Sequence, residues 1–280
     1  MLYYKAGGDF MTRILSEYTH PEGLFSYHHS TSEHPKFVNF DLHTHNDYEI
    51  FTLLRGDIFF LVEGTKHHLN PHDILIIHGN ELHQVFHRSD TVYERIVLNL
   101  SDRFFGRMEC PEFRSGLSRR IIPQKQAEAC GAEEIFLHLE QYIGDSSEMM
   151  TRCAVAELLY AFSRLPESDK SHKHEPEIVR YINEHLSEPL TLETLSNEFY
   201  LSKYYLCRLF KKTTGFTVNQ YIITKRLLLV KQLCRDGKSL TEASAEAGFG
   251  CYENFYKAYV KAYGISPKKG LLEIHEKPII

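Results

Sequence analysis

Between Phe25 and Leu100, apolar and polar residues alternate in short runs broken by turn residues, a period-two pattern that predicts strands. Glu49–Leu54 is one such run, stopped at Arg55-Gly56-Asp57. Ile58–Val62 is the next, stopped at Glu63-Gly64. A short strand through Lys66–Leu69 leads to the turn Asn70-Pro71-His72-Asp73. Ile74–Ile77 follows, then the turn His78-Gly79-Asn80, and Val92–Leu100 alternates again. Many short strands at close spacing predict a sandwich or small barrel. Beyond Pro123 the period lengthens. Ile135, Leu139 and Tyr142/Ile143 fall at helical spacing, and so do Val155, Leu158, Leu159 and Phe162. They predict two amphipathic helices, roughly 124–143 and 147–164. The stretch Pro166–Pro176 is polar, aperiodic and bounded by prolines, as an exposed linker is.

The remaining residues contain an internal repeat. At an offset of 49, Glu193 pairs with Glu242, Tyr200 with Phe249, Leu206 with Phe255, Arg208 with Lys257, Phe210 with Tyr259 and Gly215 with Gly264. Thr191 is placed to cap a helix from Leu192 to about Phe199, and Ser202 to cap one from Lys203 to Thr213. In the second copy Thr241 or Ser239 caps a helix ending at Ala247, and a longer helix runs from about Cys251 to Tyr263. Short helix, tight turn and longer helix make a helix-turn-helix pattern. Between the copies, Val218–Cys234 predicts one long amphipathic helix joining them.

At 280 residues the chain has room for two domains, and 42% hydrophobic with 25% charged residues are ordinary globular values. No apolar run approaches the ~18 residues of a membrane span. The N-terminus lacks the features of a secretory signal, and the six cysteines include no CxxC pair, so a reduced, cytoplasmic chain without membrane contact is expected. The formal charge of −5 counts against nucleic-acid binding only until it is divided. Residues 1–174 carry 17 Lys+Arg against 25 Asp+Glu, whereas residues 175–280 carry 15 against 12. The acidic excess belongs to the strand-rich part and the repeat is mildly basic.

One constellation in the strand-rich part has chemical potential. His43-Thr-His45-Asn-Asp-Tyr-Glu49 puts two imidazoles two residues apart and a carboxylate four beyond, so a strand would turn all three to one face. His83 lies on a later strand. Three imidazoles and a carboxylate suit a divalent transition metal. The same groups also suit a pocket for a polar ligand, and that cofactor-free pocket, with Arg55 added, is the expectation here. Most of the extra histidines nearby, His67, His68, His72, His78 and His87, are expected to be solvent-facing strand or turn residues.

The repeat carries a family resemblance. Pro189-Leu-Thr-Leu-Glu-Thr-Leu195, Tyr200 through Lys212, Gly215, Tyr221-Ile222, Arg226-Leu227, Gly248-Phe249 and Gly264-Ile-Ser-Pro267 resemble the AraC/XylS family of bacterial transcription regulators over about residues 176–270. The order HxHxxxE, Gly56 and a later His resembles the cupin pattern, with His72 at the turn position where that pattern has glycine. The resemblance implies an α+β two-domain chain. Residues 1–165 would form a cupin-like barrel followed by two helices, for effector sensing and dimerisation. Residues 166–175 would be the linker, and 176–280 an all-α double helix-turn-helix domain. It implies double-stranded DNA, a small-molecule effector (a sugar or related metabolite), a second copy of the chain and the transcription machinery as partners, and no enzymatic activity. The alternative is a cupin metalloenzyme fused to a DNA-binding module.

By position on the second helix of each unit, Lys203, Tyr204, Cys207 and Arg208, and then Tyr252, Glu253, Asn254 and Lys257, are the candidate DNA-reading residues. Arginine grips guanine, asparagine reads adenine and a carboxylate accepts from cytosine. Lys211, Lys212, Lys225, Arg226 and Lys261 are candidates for phosphate contact. The second unit departs from the family pattern at Ala243, Ala245, Ala247, Tyr259, Val260 and Gly270-Leu271, so the first unit is expected to dominate affinity.

Overall fold

The computed structural model describes residues 12–35, 43–166 and 176–273. Most of residues 2–174 forms one compact unit and residues 175–280 form another. Residues 167–175 of the expected linker lie outside the described residues.

Among the described residues the first unit contains nine strands: β1 (Thr12–Thr19), β2 (Phe25–Ser32), β3 (Tyr48–Arg55), β4 (Ile58–Val62), β5 (Thr65–Leu69), β6 (Ile74–Ile77), β7 (His83–His87), β8 (Tyr93–Leu100) and β9 (Ile121–Ile122). They form a six-stranded sheet ordered β1-β2-β8-β3-β6-β9 and a three-stranded sheet ordered β5-β4-β7. Alternation decides which side chains meet where. Phe51, Leu53, Leu75, Ile77 and Tyr93 of the large sheet pack with Ile58, Phe60, Val62, Leu69 and Val85 of the small one, so the sheets enclose a common core. The opposite face of the large sheet, with Ile50, Ile74, Ile76, Ile96, Leu98 and Leu100, is covered by helices.

Those helices are α1 (Arg103–Arg107), α2 (Gln124–Ala129), α3 (Ala132–Gly144) and α4 (Glu148–Ser163), with a 3-10 turn at Pro111–Leu117. Ile135, Phe136 and Leu139 of α3 and Val155, Leu158, Leu159 and Phe162 of α4 are buried against the sheet, each worth about 1.5–3 kcal/mol. Tyr27 donates its hydroxyl proton to Glu140 at 2.8 Å, which ties α3 to β2. The helix expected over 124–143 is two helices, because Gly131 takes a left-handed conformation (φ 71°) that ends the first and starts the second. α1, β9 and the 3-10 turn are too short to leave a periodic signal.

Among the described residues the second unit is all helical: α5 (Glu177–Glu184), α6 (Leu192–Glu198), α7 (Lys203–Thr214), α8 (Val218–Arg235), α9 (Leu240–Glu246), α10 (Tyr252–Tyr263) and α11 (Pro267–Glu273). Thr191 and Ser239 both cap through reciprocal boxes, with Thr194 and Glu242, so Ser239 and not Thr241 starts α9. The caps correct the repeat. α6 and α9 correspond at an offset of 48, whereas α7 and α10 correspond at 49. The second turn has one residue more, and Tyr200 (φ 53°) stands where the second copy has Gly248 (φ 84°), not Phe249.

Ala243 and Ala247 are fully buried, and Leu227, Val230, Phe249, Phe255 and Tyr259 fill the space their small side chains leave. Two departures from the family pattern explain each other. A Cβ on Gly270 would lie 2.3 Å from the Tyr259 hydroxyl oxygen, so the tyrosine occupies the space a larger residue at 270 would take. Gly270→Ala is expected to destabilise the unit by about 1–3 kcal/mol through overpacking. Adding Tyr259→Phe removes the clashing atom and recovers more than about 0.5 kcal/mol in a chemical-denaturation double-mutant cycle. Strict additivity would disprove the coupling.

Candidate functional site

In the second unit each short helix leads through its turn into a longer one, and α8 packs against α7, α9 and α10 as a common support. Leu206 and Phe210 of α7 and Phe255 and Tyr259 of α10 are buried, which fixes the opposite faces outward. Lys203, Tyr204 and Arg208 are exposed, Tyr204 at 78%. Cys207 is only half-exposed, and Leu209 is exposed. Tyr205 shares the outward face, which places an aromatic pair at the start of the helix. On α10 Tyr252, Glu253, Asn254, Tyr256 and Lys257 are exposed. Tyr205 and Tyr256 were not singled out from the sequence; helical spacing from Arg208 and Lys257 was the available signal.

The charges on the two helices differ in their engagements. Lys203 pairs with Glu193 at 3.4 Å, and Lys257 with Glu253 at 2.6 Å. Arg208 is exposed and makes no ion pair among the described residues. Asn254 donates from Nδ2 to the Phe249 carbonyl at 3.4 Å, which braces the turn. Lys211, Lys212 and Lys261 are exposed, as phosphate contacts require. Arg226 is a correction. It donates to the carbonyls of Leu186 at 2.9 Å and Glu188 at 2.6 Å and is half-buried, so it braces the loop after α5.

In the first unit His43, His45, Glu49 and His83 converge. One ligand atom from each lies within 4.8 Å of every other. Glu49 comes from β3 and His83 from β7, but His43 and His45 precede β3. A backbone bridge places them instead: His43 and His83 exchange N–H···O bonds of 3.1 and 3.0 Å. Asn80 N–H also donates to the His45 carbonyl at 2.6 Å, while a Cβ on Gly79 would meet the Asn46 carbonyl oxygen at 2.2 Å. The 78–80 turn is thus closed down on the His45 loop.

The hydrogen bonds fix the imidazole tautomers. His45 Nδ1–H donates to the Asp47 carbonyl at 2.9 Å, and His83 Nδ1–H to the Glu81 carbonyl at 2.9 Å. A carbonyl only accepts, so each neutral ring presents its bare Nε2 to Glu49, at 2.9 and 3.5 Å. Carboxylate and two lone pairs facing one another need a proton or a cation between them. His83 Nε2 is buried and has no hydrogen-bond partner among the described residues. With a proton on Nε2 the imidazoles donate to Glu49 and, against its burial, hold it well below the usual carboxylate range. Burial pulls His45 down, and its contact with Glu49 carries it above its ordinary value.

Arg55 does not join this cluster. A register shift between Leu53 and Arg55 turns it outward, where it lies 3.5 Å from Glu94 and is largely exposed. His72 adopts φ 69°, the left-handed conformation for which glycine is the usual residue. Of the histidines expected to face solvent, His68 does. His78 bonds the Leu117 carbonyl at 2.8 Å, and His87 lies against Tyr93 inside the sandwich. Strand alternation from His83 was the signal that would have placed His87.

A helix-turn-helix domain model matches residues 195–270, spanning the two units just described. The helix-turn-helix part is of the AraC/XylS type, and over most of its length the chain is similar to transcription regulators. It is 26% identical to the HTH-type transcriptional regulator YbfI of Bacillus subtilis (strain 168), over 76% of this chain and 79% of that one. It is 20% identical to the HTH-type transcriptional activator RhaS of Enterobacter sp. (strain 638), over 82% of this chain and 87% of that one. Among solved structures, unsaturated fatty acid bound ToxT from Vibrio cholerae strain SCE256 aligns over 94% of this chain and 97% of that chain. The TM-score is 0.35 at 12% identity. The chain joins a strand-rich N-terminal unit to a C-terminal helix-turn-helix unit, and no helix among the described residues is long and apolar enough to cross a membrane.

Proposed function

We propose that this regulator binds two successive major-groove segments of double-stranded DNA through α7 and α10, under control of a small polar effector held in the N-terminal sandwich. The observation that carries the DNA reading is the pair of outward-facing helices, each seated on its own turn and both packed on α8. A second helix presented this way enters the major groove. Base discrimination falls to Arg208, with Lys203, Tyr204, Tyr252, Glu253, Asn254 and Lys257 around it. The excess of exposed lysines on both helices contacts phosphates.

The effector reading rests on the convergence of His43, His45, Glu49 and His83 in the sandwich. A sugar or related metabolite meets such donors through its hydroxyls. The exposed Leu137, Met149, Met150 and Tyr160 on α3 and α4 support pairing of two copies, and the transcription machinery is the expected further partner. Selection of a binding site from random DNA followed by footprinting tests the DNA reading; protection of two segments one helical turn apart is the expected result. About three phosphate contacts per helix-turn-helix unit predict a slope of log K against log salt near −5 per subunit. Protection of a single segment, or a slope close to zero, would overturn it.

The bare Nε2 atoms facing Glu49 favour a second reading of the same cluster, namely that a divalent transition metal sits there. His43, His45, His83 and Glu49 would hold it, with the Asp47 and Glu81 carbonyls orienting two of the rings. When bound, the ion supplies a Lewis-acidic position for an oxygen of the effector. Elemental analysis of protein purified without an affinity tag is expected to find about one ion per chain, lost in His45→Ala and His83→Ala variants. Metal absent even after dialysis against zinc or manganese would leave the polar pocket alone.

A further inference from the structure

His29 of β2 stands between two carboxylates that come from different elements. Its Nδ1–H donates to Glu140 of α3 at 2.6 Å and its Nε2–H to Glu94 of β8 at 3.1 Å. Ionised carboxylates only accept, so both contacts are filled only by the doubly protonated, positively charged ring. Strand alternation explains the placement. Tyr27 and His29 share the face of the large sheet that the helices cover, and Tyr27 donates to the same oxygen of Glu140 at 2.8 Å. The imidazole is 13% exposed, so salt screens these pairs little.

The other charges around the ring do not replace it. Arg55 at the end of β3 lies 3.5 Å from the other oxygen of Glu94 and is largely exposed. On β1, Ser16 is opposite His29 in register, and Glu17 is opposite His28, which alternation turns to the other face. Glu140 has no cationic partner but His29 among the described residues. Burial alone would lower the imidazole, but the two carboxylates carry it above its ordinary value. His29 in turn holds Glu140 below the usual carboxylate range. A histidine raised in this way stabilises the fold below its ordinary value and ceases to do so as pH rises through the raised one. The neutral ring has one N–H and one lone pair, so after deprotonation one carboxylate faces a lone pair. Glu94 then still has Arg55, whereas Glu140 keeps only the Tyr27 hydroxyl.

We propose that His29 is a proton-controlled latch: as the imidazolium it holds α3 on the large sheet, and its deprotonation loosens α3. The helix also carries the exposed Leu137 of the face proposed above for pairing of two copies. Resting on that reading, the latch makes pairing strongest from mildly acid to neutral pH and weaker in alkaline solution.

Imidazole NMR of the full chain from about pH 6 to about pH 9, with hydrogen exchange of the α3 amides over the same range, provides the test. His29 is expected to titrate above the ordinary histidine value. Protection of α3, corrected for the intrinsic exchange rate, should fall about tenfold across that titration, as loss of a charge-assisted hydrogen bond does. α4 offers His29 no charged group among the described residues, and its protection should change less. His29→Gln donates to one carboxylate at every pH, so its α3 should be weakly protected and indifferent to pH. Glu140→Gln should bring the imidazole back toward its ordinary value. Both variants keep the buried apolar contacts of α3. An imidazole titrating at or below its ordinary value, α3 protection unchanged by pH, or the same pH response in His29→Gln would overturn the latch. Sedimentation equilibrium in parallel separates the two readings. Protection of α3 that falls with pH beside unchanged pairing keeps the latch and overturns α3 as the pairing face. Pairing that weakens while α3 protection holds does the reverse.

Discussion

Replacing Arg208 by alanine is expected to weaken binding to the selected DNA site by about 1–3 kcal/mol, roughly five- to 150-fold, and to relax specificity at one base pair. Arg208 lies on the outward face of α7 one turn in from its start, exposed and without an ion pair among the described residues. A guanidinium in that state gives up only water when it meets the O6 and N7 of guanine. Lys257, one repeat later, must first leave Glu253, which lies 2.6 Å away, and it is a point charge without fork geometry. Lys257→Ala is therefore expected to cost less and to act evenly across sequences. Quantitative footprinting of both variants decides this. A larger loss from Lys257→Ala would mean that the second unit, not the first, sets affinity.

The second large effect is expected at Gly248. Alanine there should destabilise the C-terminal unit by about 3 kcal/mol and lower its thermal midpoint by roughly 12–24 °C. Two costs add. At φ 84° a residue with a Cβ is strained by about 1–2 kcal/mol. The new Cβ would also lie 2.4 Å from the Leu186 carbonyl oxygen, and that oxygen already accepts from Arg226. Relief of the clash must move the loop that Arg226 braces. Tyr200 is the internal control: it occupies the corresponding turn position at φ 53°, but its side chain is 95% exposed and meets nothing. Tyr200→Gly should accordingly be neutral or slightly stabilising. A Gly248→Ala variant with an unchanged unfolding curve would show that the turn relaxes without cost.

The elements legible in the sequence share a property: their signal is local. The capped helices α6, α7, α9 and α10 were legible because Thr191, Ser202 and Ser239 sit directly before regular apolar spacing, and caps act over one turn. Strands β3, β4 and β6 were legible because turn residues bound compact apolar runs. β1 escaped because its exposed edge position leaves almost no buried pattern to read. The extra residue in the second turn escaped because a constant offset aligns residue types, whereas the true correspondence is set by which serine or threonine closes the capping box.

The site residues divide in the same way. The chain order alone named His43, His45, Glu49 and His83, but strand alternation was the wrong reason for the first two. A backbone bridge and the 78–80 turn, contributed by a segment some forty residues away, are what aim them. Arg55 had the right chemistry and the wrong direction, because a bulge is decided by pairing with β8 and not by its own neighbours. His29 is the converse. It looks like any histidine on a half-buried strand until β8 and α3 each bring it a carboxylate. The sequence by itself determined two units, their charge division and a double helix-turn-helix, since each follows from short-range periodicity and capping. Only the tertiary structure decided which cations are buried and which are paired, because burial and pairing depend on segments distant in the chain.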